Sequence, residues 1–157
     1  MANRIKNTPK NKGDQIFKWT SIILAFLGAA DAVNLLVLKL TQWKVICGGV
    51  HACLTVNNSV YSEIYGIPVS AFGILAYLVI AGIGLLESRW KLAGEYGPLA
   101  IFGVSLAGVA FSAYLTYIEF FVLHAVCPYC LASAIIITVI FIIAIIRLIR
   151  QFNSQEE

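Results

Sequence analysis

Residues 127–148 read CPYCLASAIIITVIFIIAIIRL: two cysteines separated by two residues, then an isoleucine-rich run that meets its first charge at Arg147. About 20 consecutive apolar residues cross a bilayer as an α-helix. The run is therefore a membrane span, and Cys127-Pro128-Tyr129-Cys130 stands at its start. The chain around it has 157 residues, 60% of them hydrophobic and 12% charged. Soluble domains hold roughly 45–50% apolar and about 25% charged residues, so the composition points to an integral membrane protein. The net charge is only +3. No basic patch interleaved with aromatics is present, which argues against a nucleic-acid partner.

Three more apolar runs precede this one. Residues 1–15 are polar and basic, with Arg4, Lys6, Lys10 and Lys12, and read as a flexible cytoplasmic tail. The domain expected over 16–150 then has spans at about 16–40, 68–86, 98–123 and 129–148, and a polar tail occupies 151–157. No small-residue cleavage pattern follows the first run, which reads as a retained span. Gly28-Ala29-Ala30 offers it a surface for close helix packing. Asp31, at membrane depth, is expected to be a satisfied structural group, with a proton site as the alternative. Between the first two runs, Val56, Val60 and Ile64 recur every four residues, with Tyr61 and Tyr65 beside them. That spacing predicts a short amphipathic helix on the membrane surface over 56–65, ended by Gly66, with Pro68 opening the next helix. The expected fold is all-α: a polytopic four-helix transmembrane bundle with this surface helix in the first outer loop.

Arg4, Lys6, Lys10, Lys12, Lys18, Arg89, Lys91, Arg147 and Arg150 fall on one side of such a bundle, and Lys39 and Lys44 on the other. The positive-inside rule then places both termini in the cytoplasm. Cys47, Cys53, Cys127 and Cys130 all fall at the outer face, where disulfides persist in bacteria. The expected location is the plasma or inner membrane of a prokaryote.

Three uses fit four cysteines there: structural disulfides, a metal site, or a thiol–disulfide relay. The ring closed by Cys127 and Cys130 is too small to constrain much of the unfolded chain. Cys47 and Cys53 are separated by five residues, a poor match to zinc spacing. A CxxC at a helix start has its thiolate stabilised by free N–H groups and the helix dipole. A relay also needs an electron acceptor. Phe72, Tyr114, Tyr117, Phe120 and Phe121 could wall a site for a flat, lipid-soluble quinone, which accepts two electrons and two protons. Glu119 and His124 are candidates to carry those protons, with solvated surface roles as the plainer reading. His51 stands near Cys53, where it could lower a thiol pKa.

Taken together, Cys47 and Cys53, then Val56, Ser59 and Tyr61, Gly66-Ile67-Pro68, Phe72-Gly73, Ser105-Leu106-Ala107-Gly108, Tyr114-Leu115, Phe120-Phe121-Val122-Leu123 and Cys127-Pro128-Tyr129-Cys130 form a pattern. It resembles the vitamin K epoxide reductase family, especially bacterial members that make disulfides and reduce quinones, over about residues 17–149. The CxxC comes last, unlike in the DsbB type, where it lies in the first outer loop. The resemblance implies that a reduced thioredoxin-like (DsbA-type) protein exchanges with a Cys47–Cys53 disulfide. Cys53 then attacks Cys127, and Cys130 faces the quinone, either menaquinone or ubiquinone. It also implies a supporting role for Ser59 near the quinone, alongside Phe72, Tyr114 and Phe121. The chain departs from animal members at Val69 and Ala134, where they carry a quinone-binding asparagine and a tyrosine. Bacterial members often bear a fused thioredoxin-like domain; here a short polar tail follows Arg150, so the partner is expected in trans.

Overall fold

A computed structural model describes residues 12–41, 51–87 and 89–153. In chain order these form helices α1 (Lys12–Thr41), α2 (His51–Asn57), α3 (Val69–Leu86), α4 (Lys91–Phe121) and α5 (Pro128–Asn153). A 3-10 turn (Val60–Ser62) and strands β1 (Glu63–Ile64) and β2 (Ile67–Pro68) lie between α2 and α3. Helices α1, α3, α4 and α5 are each long and apolar enough to cross a membrane. The protein is an all-α, four-helix integral membrane bundle.

Helix α1 packs against α3 and α5, and α4 closes the ring by packing against the same two. In this up-and-down arrangement α1 ends, α3 begins, α4 ends and α5 begins at one end of the bundle. Lipid is as apolar as a leucine core, so such helices associate through close fit and polar contacts rather than hydrophobic burial. Gly28 supplies the closest fit, since a Cβ there would overlap the Tyr77 ring. Gly108 does the same for α4 on α5, where a Cβ would stand 2.8 Å from Ile137 Cγ1. The Tyr77 hydroxyl donates to the Ser133 carbonyl at 3.0 Å, tying α3 to α5 across the core.

The end of the bundle away from the cysteines is closed by charge. Arg147 Nη2 and Nη1 meet Glu87 Oε2 and Oε1 at 2.8 and 3.2 Å, and Arg147 Nε meets Asp14 at 3.1 Å. Both Arg147 and Glu87 are buried. Arg150 lies over the Phe17 ring, 5.0 Å from its centre.

Two local expectations are corrected. The segment 56–65 is not one helix: the helix lies earlier, as α2, and ends at Asn57. Ser59 is extended, and its hydroxyl donates back to the Val56 carbonyl at 2.7 Å. This is the side-chain competition with helix that serine offers. Tyr65 and Gly66 both take positive φ, 52° and 79°, and form the two-residue loop of a hairpin pairing Ile64 with Ile67. That loop is the type favoured by strand twist, and it suits glycine. Pro68 pairs with Glu63 and stands just before α3. At α4, the helix starts at Lys91, so Pro98 lies inside it. A proline forfeits one helical hydrogen bond there without ending the helix.

Candidate functional site

Cys53 and Cys127 meet at the end where α5 begins. Both are fully buried, and their Sγ atoms are 3.3 Å apart. Leu35 and Leu38 of α1 form the floor of this cluster, and Val56, Tyr129 and Cys130 pack around it.

The geometry follows from how each cysteine is held. Cys53 lies on α2, one turn before Asn57. Asn57 Nδ2 donates to the Leu35 carbonyl at 3.1 Å, and Lys39 Nζ donates to the Asn57 carbonyl at 2.8 Å. Lys39 also reaches Ser62 Oγ and, at 3.0 Å, Glu63 Oε1. A short helix that could not stand alone is thus pinned on α1.

Cys127 ends a tight reversal. Val122 and Leu123 N–H groups both donate to the Ile118 carbonyl, and Ala125 N–H donates to the Glu119 carbonyl at 3.1 Å. His124 adopts φ 51° within this turn and is exposed. The backbone N–H of Cys127 donates to Glu119 Oε2 at 3.0 Å. The Cys127 carbonyl accepts the first bond of α5, from Leu131 N–H, at 3.0 Å. Cys127 is therefore the capping residue of the helix.

Cys127 and Cys130 are free thiols, whereas Cys53 is disulfide-bonded. The hydrogen bond from the Cys130 side chain is the main reason the Cys127 pKa lies below the ordinary thiol range, against burial, which raises it. A thiolate is the attacking species in exchange. A Cys127 thiolate 3.3 Å from a disulfide sulfur is placed for that attack. Cys47 lies outside the described residues.

On the core side of Cys130 is a cavity of about 400 Å³ among α1, α3, α4, α5 and the turn after α2. Ser59, Phe72, Tyr77, Phe111, Glu119 and Cys130 are among its lining residues. Its wall is mainly apolar with a few convergent polar groups, the pattern of small-molecule sites. Ser70 also lines it, and its Oγ is buried with no hydrogen-bond partner among the described residues.

The structure thus brings together Cys53, Cys127, Cys130, Ser59 and Phe72. Tyr114 and Phe121 are not in the cavity wall; they are 53% and 67% exposed on the outer side of α4. Phe121 stacks on Tyr117, ring centres 4.8 Å apart, along a separate groove between α4 and α5. Asp31 differs from its expected role, since its Oδ2 is buried with no partner among the described residues. Sequence reading missed Ser70, Phe111 and the pinning pair Lys39 and Asn57. The hydroxyl next to Val69 was a visible signal for Ser70. Nothing in the spacing joins Lys39 to Asn57.

The model of the vitamin K epoxide reductase family matches residues 19–145. A thiol-disulfide oxidoreductase of Arabidopsis thaliana, LTO1, is 31% identical over 121 residues, covering 73% of this chain. The match spans 32% of that protein's length. With its paired sulfurs at one end of a four-helix membrane bundle and a family match over most of its length, the chain belongs to the vitamin K epoxide reductase family of oxidoreductases.

Proposed function

We propose that the protein oxidises an extracytoplasmic thioredoxin-like protein in trans and passes two electrons to a membrane quinone, supporting disulfide bond formation. The carrying observation is the 3.3 Å approach of Cys53 to Cys127, with Cys130 in the wall of the adjoining cavity. The partner's thiols reduce the loop disulfide Cys47–Cys53. Cys53 attacks Cys127, the Cys127–Cys130 bond breaks, and Cys130 leaves as a thiolate. Cys47 then attacks Cys53, restoring the loop disulfide and releasing Cys127. A disulfide-bonded Cys53 beside free Cys127 and Cys130 is the state this sequence produces before electrons leave the protein.

The mainly apolar lining, with Phe72 and Phe111 among it, supports a quinone headgroup in the cavity, and the unpartnered Ser70 hydroxyl would serve as a donor to a ring oxygen. The quinone supplies two-electron acceptance coupled to two protons. Menaquinone and ubiquinone both suit an apolar chamber of this size. The charge distribution supports cytoplasmic termini and an outer-face site. The name of the LTO1 relative, a thiol-disulfide oxidoreductase, supports the reaction class.

The test is dithiol-driven quinone reduction by the purified protein in lipid. Cys130→Ala should abolish turnover and accumulate a Cys53–Cys127 bond. Unchanged turnover would remove the relay, and a trapped Cys47–Cys127 bond would reverse the roles of the loop cysteines.

A further inference from the structure

Glu119 stands against the CxxC turn. One carboxylate oxygen accepts the backbone N–H of Cys127 at 3.0 Å, and Glu119 and Cys130 line the same cavity. The residue is only 3% exposed, yet it lines the cavity beside Cys130. Capping Cys127 needs one oxygen and no charge; a neutral amide would serve as well. A carboxylate inside the membrane is costly and marks function by default. Among the described residues that line the cavity, Glu119 is the only carboxylate; Cys130, Tyr61 and Tyr77 are the other ionisable groups there. It faces Cys127, which caps α5, and shares the cavity wall with Cys130 of α5, while the cavity residues from α1 carry no charge.

We infer that Glu119 is the catalytic proton carrier between the Cys130 thiol and the electron acceptor in the cavity. This inference rests on the quinone reading above. As the sulfur–sulfur bond of Cys127 and Cys130 forms, the dithiol gives up an electron pair. The Cys130 proton passes to Glu119, and the carboxylic acid delivers it to an oxygen of the reduced acceptor. The second proton comes from water at the outer face, replacing the one Cys127 released when it became a thiolate. Glu119 returns to a carboxylate, and two thiols and one quinone have become one disulfide and one quinol.

The discriminating variant is Glu119→Gln, whose amide oxygen can still accept the Cys127 N–H. Positioned acids and bases contribute about 10²–10⁴-fold to rate, so dithiol-driven quinone reduction should fall by about 100-fold or more. A readout independent of turnover is the infrared S–H stretch of Cys130 in reduced, quinone-free protein, isolated by difference against Cys130→Ser. It should be red-shifted and broad in the wild type and move toward a free thiol in Glu119→Gln. A Glu119→Gln, Cys130→Ala protein should still trap the Cys53–Cys127 bond, which shows the turn intact. Loss of that crosslink would make Glu119 a structural residue and overturn the inference, as would wild-type turnover or an unmoved S–H band in Glu119→Gln. If the wild type itself reduces no quinone, the functional reading fails first, and that outcome is distinct from failure of Glu119 alone.

Discussion

Lys39 Nζ donates to the backbone carbonyl of Asn57 at 2.8 Å, so the end of α1 holds the last residue of the helix that carries Cys53. The last carbonyls of a helix have no partner within it, and in α2 a cation from another helix supplies one. The same ammonium meets Ser62 and Glu63, so it spans α2, the 3-10 turn and β1 from a nearly buried position. Cys53 lies one turn before Asn57 and moves with it.

Removing the charge should therefore act on sulfur geometry. A hydrogen bond to a charged group contributes about 1.5–3 kcal/mol, and about 1.4 kcal/mol is a factor of ten in a population. In a Cys130→Ala background, Lys39→Met should slow formation of the Cys53–Cys127 crosslink by about tenfold. Lys39→Arg should recover most of the rate, because it keeps the charge and donors. Gel-shift trapping with time measures this. Equal rates in the Met and Lys proteins would mean that Asn57 and Leu35 hold α2 unaided.

The low pKa of Cys127 gives the exchange step a pH dependence with a definite sign. The hydrogen bond from Cys130 favours the Cys127 thiolate, so the form in which Cys127 leaves Cys53 persists below the pH at which an ordinary thiol is protonated. As pH falls through the lowered value, the thiolate is lost and the return attack of Cys127 on the Cys53 disulfide slows. In a Cys47→Ser, Cys53→Ser background, where no Cys53–Cys127 bond can form, Cys130→Ala removes the main cause and should move the midpoint of the Cys127 thiolate ultraviolet absorbance upward. A midpoint that stays in place or falls would assign the stabilisation to the helix terminus instead.

Ser70 should set acceptor affinity without setting the chemistry. Ser70 lines the cavity, and its hydroxyl is buried without a partner among the described residues. A net neutral hydrogen bond contributes about 1 kcal/mol. Ser70→Ala should raise the KM for quinone by about fivefold at that energy and leave kcat within about twofold. Steady-state kinetics across quinone concentrations separates the two. A fall in kcat with constant KM would place Ser70 in the transition state instead of in binding.

The four spans and the common end of Cys53, Cys127 and Cys130 were legible because each apolar run is long and apolar enough to cross a membrane. The surface segment was not, because Val56, Val60 and Ile64 fit a helix while the turn chemistry of Asn58-Ser59 and Tyr65-Gly66 decided otherwise. The acceptor wall was half legible. Phe72 faces the cavity, but Tyr114 and Phe121 face away and Phe111 takes the inner position on α4. A membrane helix is apolar all round, so its pattern does not tell the lipid side from the core side. Glu119 drew notice as a charge near the CxxC; its bond to the Cys127 N–H depends on the reversal at 122–126, which no periodicity encodes.

The opposite end of the bundle gives a stability prediction separate from the chemistry. Arg147 and Glu87 form a bidentate pair, with side chains 5% and 3% exposed, and Asp14 completes it. Breaking a buried pair by removing one partner costs about 3–5 kcal/mol, because the other charge is left buried alone. Arg147→Met, which strands Glu87, should therefore lower the thermal unfolding midpoint in detergent sharply, and Glu87→Met should do so by less, because Asp14 still meets Arg147 at 3.1 Å. Replacing both charges with apolar groups of like volume is often neutral, so the double Met variant should recover most of the loss. In a Cys130→Ala background, the Cys53–Cys127 crosslink, at the far end of the helices, should form as fast with the double Met change as without it. A double variant as unstable as either single one would show that Asp14, left facing an apolar side chain, carries the cost.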